Sequence, residues 1–215
     1  MGDLFYRTVR TIGRGPVSIA TSRMVRGAQY IPQTGPAILA SSHLSYFDVP
    51  ALIGASRRPI DWLSITELMS HPAIGWFFRN MNAFPVDRSR HDSRATRTIL
   101  DRLGAGRLVG FFPEGRIRRP EESVINGGSL GSSVLRLARA SGAPVIPAVV
   151  LGGDAMSNPL AWLPTGQARY GVAFGEPIFV PPDATVAQIA PLLLELKRRY
   201  RRLAAELRLC MIPRD

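Results

Sequence analysis

Short apolar runs alternate with segments of helical periodicity along most of the chain. The helical segments predict helices at 49–55, 72–80, 92–104, 129–141 and 185–209. The short apolar runs predict strands at 37–41, 60–64, 83–86, 107–112, 145–151 and 168–174. Residues 151–167 contain several glycines and prolines and predict a loop. Because strands alternate with helices, the pattern predicts an α/β fold: a single layered domain with a largely parallel central sheet flanked by helices.

Both ends of the chain carry basic amphipathic patterns. In the last predicted helix an apolar stripe lies opposite a basic face of Lys197, Arg198, Arg201, Arg202 and Arg208. Residues 1–26 mix apolar side chains with arginines at roughly helical spacing, interrupted by Gly13, Gly15 and Pro16. We therefore expect a basic amphipathic segment at 1–26 and a domain at 27–215. Two interpretations of the segment stay open: it lies on an anionic membrane, or it packs on the domain with its arginines in water.

Composition and charge narrow the class of protein. The 215 residues are 46% apolar and 20% charged, which excludes disordered and collagen-like chains. The net charge is +11, and among the 27 basic side chains only Lys197 is a lysine. Guanidinium groups match phosphate and carboxylate better than ammonium does, so the bias favours anionic partners. The single cysteine, Cys210, excludes an intrachain disulfide and suggests a reducing compartment.

The chain shows no pattern for crossing a membrane. No stretch approaches 18 uninterrupted apolar residues, and the first residues lack the apolar core and cleavage site of a signal peptide. We expect a protein that is soluble, or that sits on a surface without crossing it.

A histidine and an aspartate follow the first predicted strand, in the segment Ser42-His43-Leu44-Ser45-Tyr46-Phe47-Asp48. A carboxylate can fix the tautomer of an imidazole and steady the cation that forms when the ring takes a proton. Residues five apart lie about 140° apart on a helix, so His43 and Asp48 meet only if His43 is in the loop and Asp48 in the first helical turn. In the alternative, Asp48 only caps the helix, or pairs with Ser45 in a capping box, and His43 is an ordinary loop histidine.

A second polar cluster follows the strand predicted at 107–112. Phe112 and Pro113 lead into Glu114, Gly115 and the arginines Arg116, Arg118 and Arg119. Ligands collect at the carboxyl ends of strands in α/β sheets, and a glycine lets the backbone approach a ligand closely. The alternative is a solvated turn whose charges neutralise one another.

Two further segments complete the pattern. Ala83-Phe84-Pro85-Val86-Asp87-Arg88 is a short apolar strand that delivers an arginine at its end. Ala143-Pro144-Val145-Ile146-Pro147-Ala148-Val149 has the pattern of a buried strand with a structural role.

In this order the four segments resemble the glycerolipid acyltransferase superfamily, whose best-known members are the 1-acyl-sn-glycerol-3-phosphate acyltransferases. That family has Asn-His-x4-Asp, a block ending in Val-Asp-Arg, Phe-Pro-Glu-Gly-Thr-Arg-Ser and a Pro-Val-Ile-Pro strand. His43 and Asp48 match the first block, Arg88 the second, 112–115 the third and 144–147 the fourth. The resemblance covers about 27–175, and 27–215 is then the acyltransferase domain.

Three positions depart from the family pattern. Ser42 replaces the asparagine before the histidine, and Ile117 stands where the family has arginine, with Arg116 and Arg118 on either side. Asn126 stands where the family commonly has the lysine of Phe-Lys-x-Gly. The last two changes bear on the identity of the substrate more than on the type of reaction.

The resemblance implies acyl transfer from a thioester, acyl-CoA or acyl-carrier protein, to a lysolipid hydroxyl, without an acyl-enzyme. His43 would be the general base and Asp48 would orient it. Glu114 would position acceptor hydroxyls or balance the arginines, and the Gly115 backbone would help to stabilise an oxyanion. Arg88, with Arg116 or Arg118, would hold the acceptor phosphate.

It also implies no metal and no cofactor, and a peripheral enzyme on an anionic membrane surface, facing the cytoplasm. The expected first acceptor is 1-acyl-sn-glycerol-3-phosphate, which would give phosphatidic acid. Glycerol 3-phosphate, a lysophospholipid and a lyso-aminolipid remain open as acceptors. The rival class is a non-catalytic basic protein that binds anionic lipid or nucleic acid, although the chain lacks nucleic-acid-binding signatures and we expect no nucleic-acid partner. A metal-dependent hydrolase is disfavoured, because His43, His71 and His91 are isolated in the sequence.

Overall fold

A computed structural model of the chain describes residues 2–86, 93–157 and 168–211. In these ranges seven strands form one sheet: β1 (Thr21–Arg26), β2 (Ala37–Ser41), β3 (Ile60–Ile65), β4 (Phe84–Val86), β5 (Leu108–Phe111), β6 (Val145–Leu151) and β7 (Ala168–Phe174). Their spatial order is β1-β7-β6-β2-β5-β3-β4. Neighbouring strands are parallel except for β6 and β7, which are antiparallel. The predicted α/β fold with a largely parallel sheet is confirmed.

The helices lie on both faces of this sheet: α1 (Gly2–Ala20), α2 (Asp48–Ala55), α3 (Thr66–Ser70), α4 (Pro72–Asn80), α5 (Ser93–Gly104), α6 (Ser133–Ser141) and α7 (Val186–Met211). Side chains of β2 alternate between two apolar clusters, because successive residues of a strand point to opposite faces. Ile38 and Ala40 join α5, α6 and α7 in one cluster. Leu39 packs with α2, and with Val17 of α1, in the other.

The sequence pattern missed two elements and misjudged a third. Strand β1 lies at the edge of the sheet, pairs only with β7 and exposes several of its polar side chains, so it has no apolar alternation to detect. The last six residues of the 1–26 segment therefore belong to the sheet. Helix α3 is a single short turn that was not predicted, and α1 continues through Gly13, Gly15 and Pro16. Of the predicted loop 151–167, residues 153–157 form a 3₁₀ turn and 158–167 lie outside the described residues.

A charge network around the buried Asp61 joins α1 to the amino ends of β3 and β5. Asp61 is fully buried and accepts hydrogen bonds from Arg102 (2.6 Å) and Arg107 (2.7 Å). Arg107 also donates to both carboxylate oxygens of Asp3 in α1, each at 2.7 Å. The hydrogen bonds from Arg107 are the largest cause that lowers the pKa of Asp3 to about 2. The start of α1 is thus fixed to the domain by a bidentate ion pair.

Candidate active site

The loop between β2 and α2 carries the predicted histidine. Strand β2 ends at Ser41, and the N–H of Ser42 donates to the carbonyl of Ala148 in β6 (3.1 Å). His43 follows in irregular backbone, whereas Asp48 is the first residue of α2. The His43 Nδ1 atom lies 3.0 Å from Asp48 Oδ2. The structure therefore brings the two side chains together by the loop-to-helix arrangement that their spacing requires.

Asp48 also holds the backbone of this loop. Its Oδ2 atom accepts hydrogen bonds from the N–H groups of Leu44 (2.7 Å) and Ser45 (3.0 Å), and Oδ1 accepts from Ser45 Oγ (2.8 Å). The carboxylate is fully buried, so these donors replace the water that it has lost. Half of the expected capping box with Ser45 is present, and it coexists with the contact to His43.

A glycine that the sequence analysis did not single out closes the back of this arrangement. A Cβ atom at Gly153, just after β6, would lie 2.6 Å from Ser45 Oγ and 3.3 Å from Asp48 Oδ1. Only a residue without a side chain lets the turn approach the aspartate so closely. The signal in the sequence was the Gly152-Gly153 pair at the carboxyl end of a buried strand.

The contact with Asp48 fixes which nitrogen of His43 can react. With the Nδ1 proton donated to the carboxylate, Nε2 is the nitrogen left to accept a proton. The His43 side chain is 13% exposed, whereas Asp48 is fully buried. A substrate can therefore reach the ring but not the carboxylate, which is the arrangement of a general base and its orienting acid group.

Aromatic rings cover one face of the imidazole. The Phe112 ring is stacked on His43 with a centroid distance of 3.9 Å and an interplanar angle of 17°. Trp62 of β3 is stacked in turn on Phe112, at 5.2 Å and 16°. The indole Nε1 of Trp62 is buried and has no acceptor among the described residues, a state that costs ~1–3 kcal/mol.

Glu114 ties the loop after β5 to the histidine loop. Its carboxylate is buried; Oε2 accepts from the His43 N–H, and Oε1 accepts from Ser123 Oγ and the Val124 N–H, all at 2.7 Å. Within the described ranges it forms no ion pair with an arginine. The expectation from sequence was contact with acceptor hydroxyls or charge balance for the arginines. In the structure the carboxylate instead positions the backbone of His43.

Gly115 forms a turn and does not present a free amide. Its φ angle of +73° lies in the left-handed region that favours glycine. Its N–H donates to the carbonyl of Phe112 (3.0 Å). Because this donor is already used, the expectation that the Gly115 amide stabilises an oxyanion is not supported by the geometry.

The two arginines after Gly115 differ in placement. Arg116 is 66% exposed and lies 3.9 Å from Glu122. Arg118 is 22% exposed; its backbone N–H donates to the His43 carbonyl (2.8 Å) and its Nη2 donates to the Glu114 carbonyl (3.1 Å). Arg118 is therefore the arginine held against the histidine loop. Arg88, the other expected phosphate ligand, lies outside the described residues.

The donor set around Glu114 generates a prediction about stability. In Glu114→Gln, the side-chain NH₂ group would face one of the three donors that the carboxylate now accepts. We expect the free energy of unfolding to fall by about 1–3 kcal/mol, measured by denaturant titration. Glu121→Gln, at an exposed position in the same loop, is the matched control and should change little. Equal stability of the two variants would contradict the bonding described for Glu114.

Comparisons with known proteins identify similar chains by family and by sequence. A family model described as Acyltransferase matches residues 22–151. The 1-acyl-sn-glycerol-3-phosphate acyltransferase of Bacillus subtilis (strain 168) is 30% identical over 129 residues, which are 60% of this chain and 62% of that protein. The chain thus spans less than two thirds of the length of this curated relative.

A solved structure agrees with the fold. The crystal structure of the 1-acyl-sn-glycerophosphate (LPA) acyltransferase PlsC from Thermotoga maritima has a TM-score of 0.73 to this chain at 21% identity. The match covers 94% of this chain and 79% of that one. The family model spans more than half of the chain, and the matched residues include the loops of His43 and Glu114. The chain therefore belongs to the Acyltransferase family.

Proposed function

We propose that this protein transfers a fatty acyl group from an acyl thioester to the hydroxyl of a lysoglycerolipid, with 1-acyl-sn-glycerol-3-phosphate as acceptor and phosphatidic acid as product. The observation that carries the proposal is the His43–Asp48 pair, in which a reachable imidazole is oriented by a buried carboxylate. The activity in the name of the Bacillus subtilis relative supports the choice of acceptor. Acyl-CoA and acyl-carrier protein are the two donors that carry a suitable thioester.

The chemical step follows from the free nitrogen of His43. Nε2 takes the proton of the acceptor hydroxyl while the hydroxyl oxygen attacks the thioester carbonyl carbon. The C–S bond then breaks, and the departing thiolate takes the proton back from the imidazolium. The products are an ester and a free thiol, and Asp48 steadies the imidazolium in between.

The hydroxyl groups around His43 support a direct transfer. Ser45 Oγ is committed to Asp48, and Ser41 Oγ donates to the carbonyl of Ser42. Ser42 Oγ is buried, so a thioester cannot reach it. None of these three serines is both reachable and paired with the base, as an acyl-enzyme mechanism would require.

The role of His43 is tested by its removal. In His43→Ala we expect turnover to fall by about 10²–10⁴-fold, because general base catalysis contributes that much. Far-UV circular dichroism and thermal unfolding should stay close to those of the parent. Initial rates are measured by mass spectrometry with acyl-CoA and acyl-carrier protein as donors.

The matched control is His71→Ala. His71 is exposed at the start of α4, and its ring accepts a hydrogen bond from the Ile74 N–H (3.5 Å). It should retain turnover within about threefold of the parent. Near-normal turnover in His43→Ala would remove this residue from catalysis.

We also propose that Arg118 binds the acceptor phosphate. Its guanidinium is held beside the histidine loop by the Glu114 carbonyl, and Ile117 leaves no arginine at the preceding position. Arginine matches phosphate with two parallel N–H donors. Arg88 is the second expected phosphate ligand and stays a sequence prediction.

Substitution of Arg118 should therefore change acceptor preference. In Arg118→Gln we expect kcat/KM for 1-acyl-sn-glycerol-3-phosphate to fall roughly tenfold to hundredfold, because a charge-assisted pair is lost. The rate with an uncharged monoacylglycerol should fall much less. Arg57→Gln is the control, since Arg57 is exposed before β3, at the amino end of the sheet. Equal losses with both acceptors would indicate that Arg118 only supports the loop.

An apolar surface on α1 and α4 supports membrane contact. This surface, hereafter the α1–α4 surface, includes Leu4, which is 74% exposed, and Trp76, which is 55% exposed. Phe5 packs edge-on against Trp76 and Phe77, with centroid distances of 5.3 Å and 5.9 Å. The exposed arginines Arg7 and Arg79 belong to the same two helices. Exposed aromatic groups beside basic ones suit the interface of an anionic bilayer.

We propose that the protein binds a membrane peripherally through this surface. Among the described helices, none combines the length and the apolar character needed to cross a bilayer. The apolar tail of a lysolipid favours a bilayer over water by about 0.8 kcal/mol per methylene, so an enzyme of this class gains from working at the bilayer surface.

Vesicle binding tests the α1–α4 surface. In Trp76→Ser we expect the affinity for vesicles containing phosphatidylglycerol to fall roughly tenfold, because about 1.5 kcal/mol of apolar burial is lost. Phe179→Ser is the matched control, because Phe179 is 69% exposed and lies in another part of the chain, after β7. Binding is measured by vesicle cosedimentation. A larger loss in Phe179→Ser than in Trp76→Ser would place the contact elsewhere.

A further inference from the structure

A glycine in β5 makes room for the aromatic stack beside the imidazole. The register of β3 and β5 places Trp62 directly opposite Gly110. A Cβ atom at Gly110 would overlap the six-membered ring of the Trp62 indole. The glycine therefore lets the indole occupy the space directly over the neighbouring strand. A side chain of any other residue would force the ring away from that position.

Stacking on the indole of Trp62 sets the plane of the Phe112 ring. Phe112 is two residues beyond Gly110, so its side chain projects from the same face of the sheet. The planes of Trp62 and Phe112 differ by 16°, and those of Phe112 and His43 by 17°. Each ring thus lies within 17° of parallel to the next, from Trp62 in β3 to the imidazole. The stack ends at His43, which is the ring that substrate can reach.

Stacking on Phe112 restricts a tilt of the imidazole that the hydrogen bond to Asp48 alone allows. A single hydrogen bond holds the Nδ1 edge of the imidazole, but the ring can still tilt about that contact. A flat wall at 3.9 Å restricts the tilt. The edge contact with Asp48 and the face contact with Phe112 together determine where Nε2 points.

Trp62 contributes to the stack through the face of its indole ring and not through its indole N–H. The indole N–H finds no acceptor in the described part of the chain, so a purely apolar residue would fill the core without an unpaired donor. We propose that Trp62, lying on Gly110, is a positioning residue that acts through Phe112 to hold the plane of His43. This inference rests on the proposed function, in which His43 is the base.

Two substitutions of Trp62 separate the flat face from simple bulk. Trp62→Phe keeps an aromatic face and removes the unpaired N–H, whereas Trp62→Leu fills space without a flat face. We expect Trp62→Leu to lower kcat roughly tenfold to hundredfold with KM nearly unchanged, because a misplaced base affects the transition state more than binding. Trp62→Phe should stay within about threefold of the parent kcat. A Phe variant as slow as the Leu variant, or a Leu variant with parental kcat, would overturn the proposal.

A matched control tests whether a general loosening of the core could explain a lower kcat in Trp62→Leu. Phe174 is buried in the same apolar cluster as Trp62, but it belongs to β7, on the far side of β6 from the histidine loop, and is not one of the three stacked rings. Phe174→Leu should lower the thermal unfolding temperature about as much as Trp62→Leu while leaving kcat near the parental value. A comparable fall in kcat for Phe174→Leu would also overturn the proposal.

A readout independent of activity separates this inference from the proposed function. Stacking on Phe112 should move the ring-proton resonances of His43 upfield, and His43→Gln identifies those resonances in the proton–nitrogen spectrum. In Trp62→Leu we expect them to move back towards the positions of an unstacked imidazole, whereas in Trp62→Phe they should stay near the parental positions. Unchanged resonances in Trp62→Leu would contradict the positioning role. A parent protein without acyl transfer would overturn the proposed function, and the resonances would still decide whether Trp62 orients the ring.

Discussion

Two buried carboxylates hold the loop on which the site depends. Asp48 and Glu114 are both buried, and a buried negative charge is costly unless donors surround it. Asp48 receives two backbone N–H groups, one hydroxyl and the imidazole. Glu114 receives two backbone N–H groups and one hydroxyl. These donors include the backbone N–H groups of three consecutive residues, 43–45, so the charges and the conformation of the loop stabilise each other.

The parallel sheet explains why two segments so distant in sequence share one site. Strands β2 and β5 are direct neighbours and run in the same direction, so the residues that follow them leave the sheet at the same edge. His43 follows the first strand and Glu114 the second, and their contact spans 71 positions of the sequence. Strand β6, on the other side of β2, adds the close approach of Gly153 at the same edge. Three adjacent strands thus build the site, as expected for the carboxyl edge of an α/β sheet.

Much of the fold could be predicted because its central strands are strongly apolar. The bounds of β2, β6 and β7 agree with the prediction, since most residues of these strands are apolar and buried. Strand β1 could not be predicted in this way, because an edge strand with exposed side chains has no such pattern. Gly13, Gly15 and Pro16 interrupt the helical pattern of the 1–26 segment because they lower helix propensity, but α1 continues through them, since docking of the helix on the domain outweighs this effect.

The candidate site was predictable where its contacts are local. The spacing of His43 and Asp48 restricts how they can meet, and the structure has that arrangement. The partners of Glu114 could not be deduced, because an acidic group followed by arginines suggests an ion pair whereas the carboxylate accepts backbone and hydroxyl donors. The stack of Trp62 on Phe112 depends on strand register, which the sequence does not specify.

Strand β5 connects two features that lie at opposite ends of the sheet. The strand is immediately preceded by Arg107, which forms an ion pair with Asp3 of α1. It is immediately followed by Phe112, which stacks on the imidazole. The strand has only four residues, so roughly 13 Å of regular backbone separates the two ends. Strand β5 therefore links the start of α1 to the imidazole through one short stretch of regular backbone. Under the proposed membrane contact of α1, the headgroup of the acceptor therefore has to reach an imidazole that this strand separates from Asp3 by the length of the sheet.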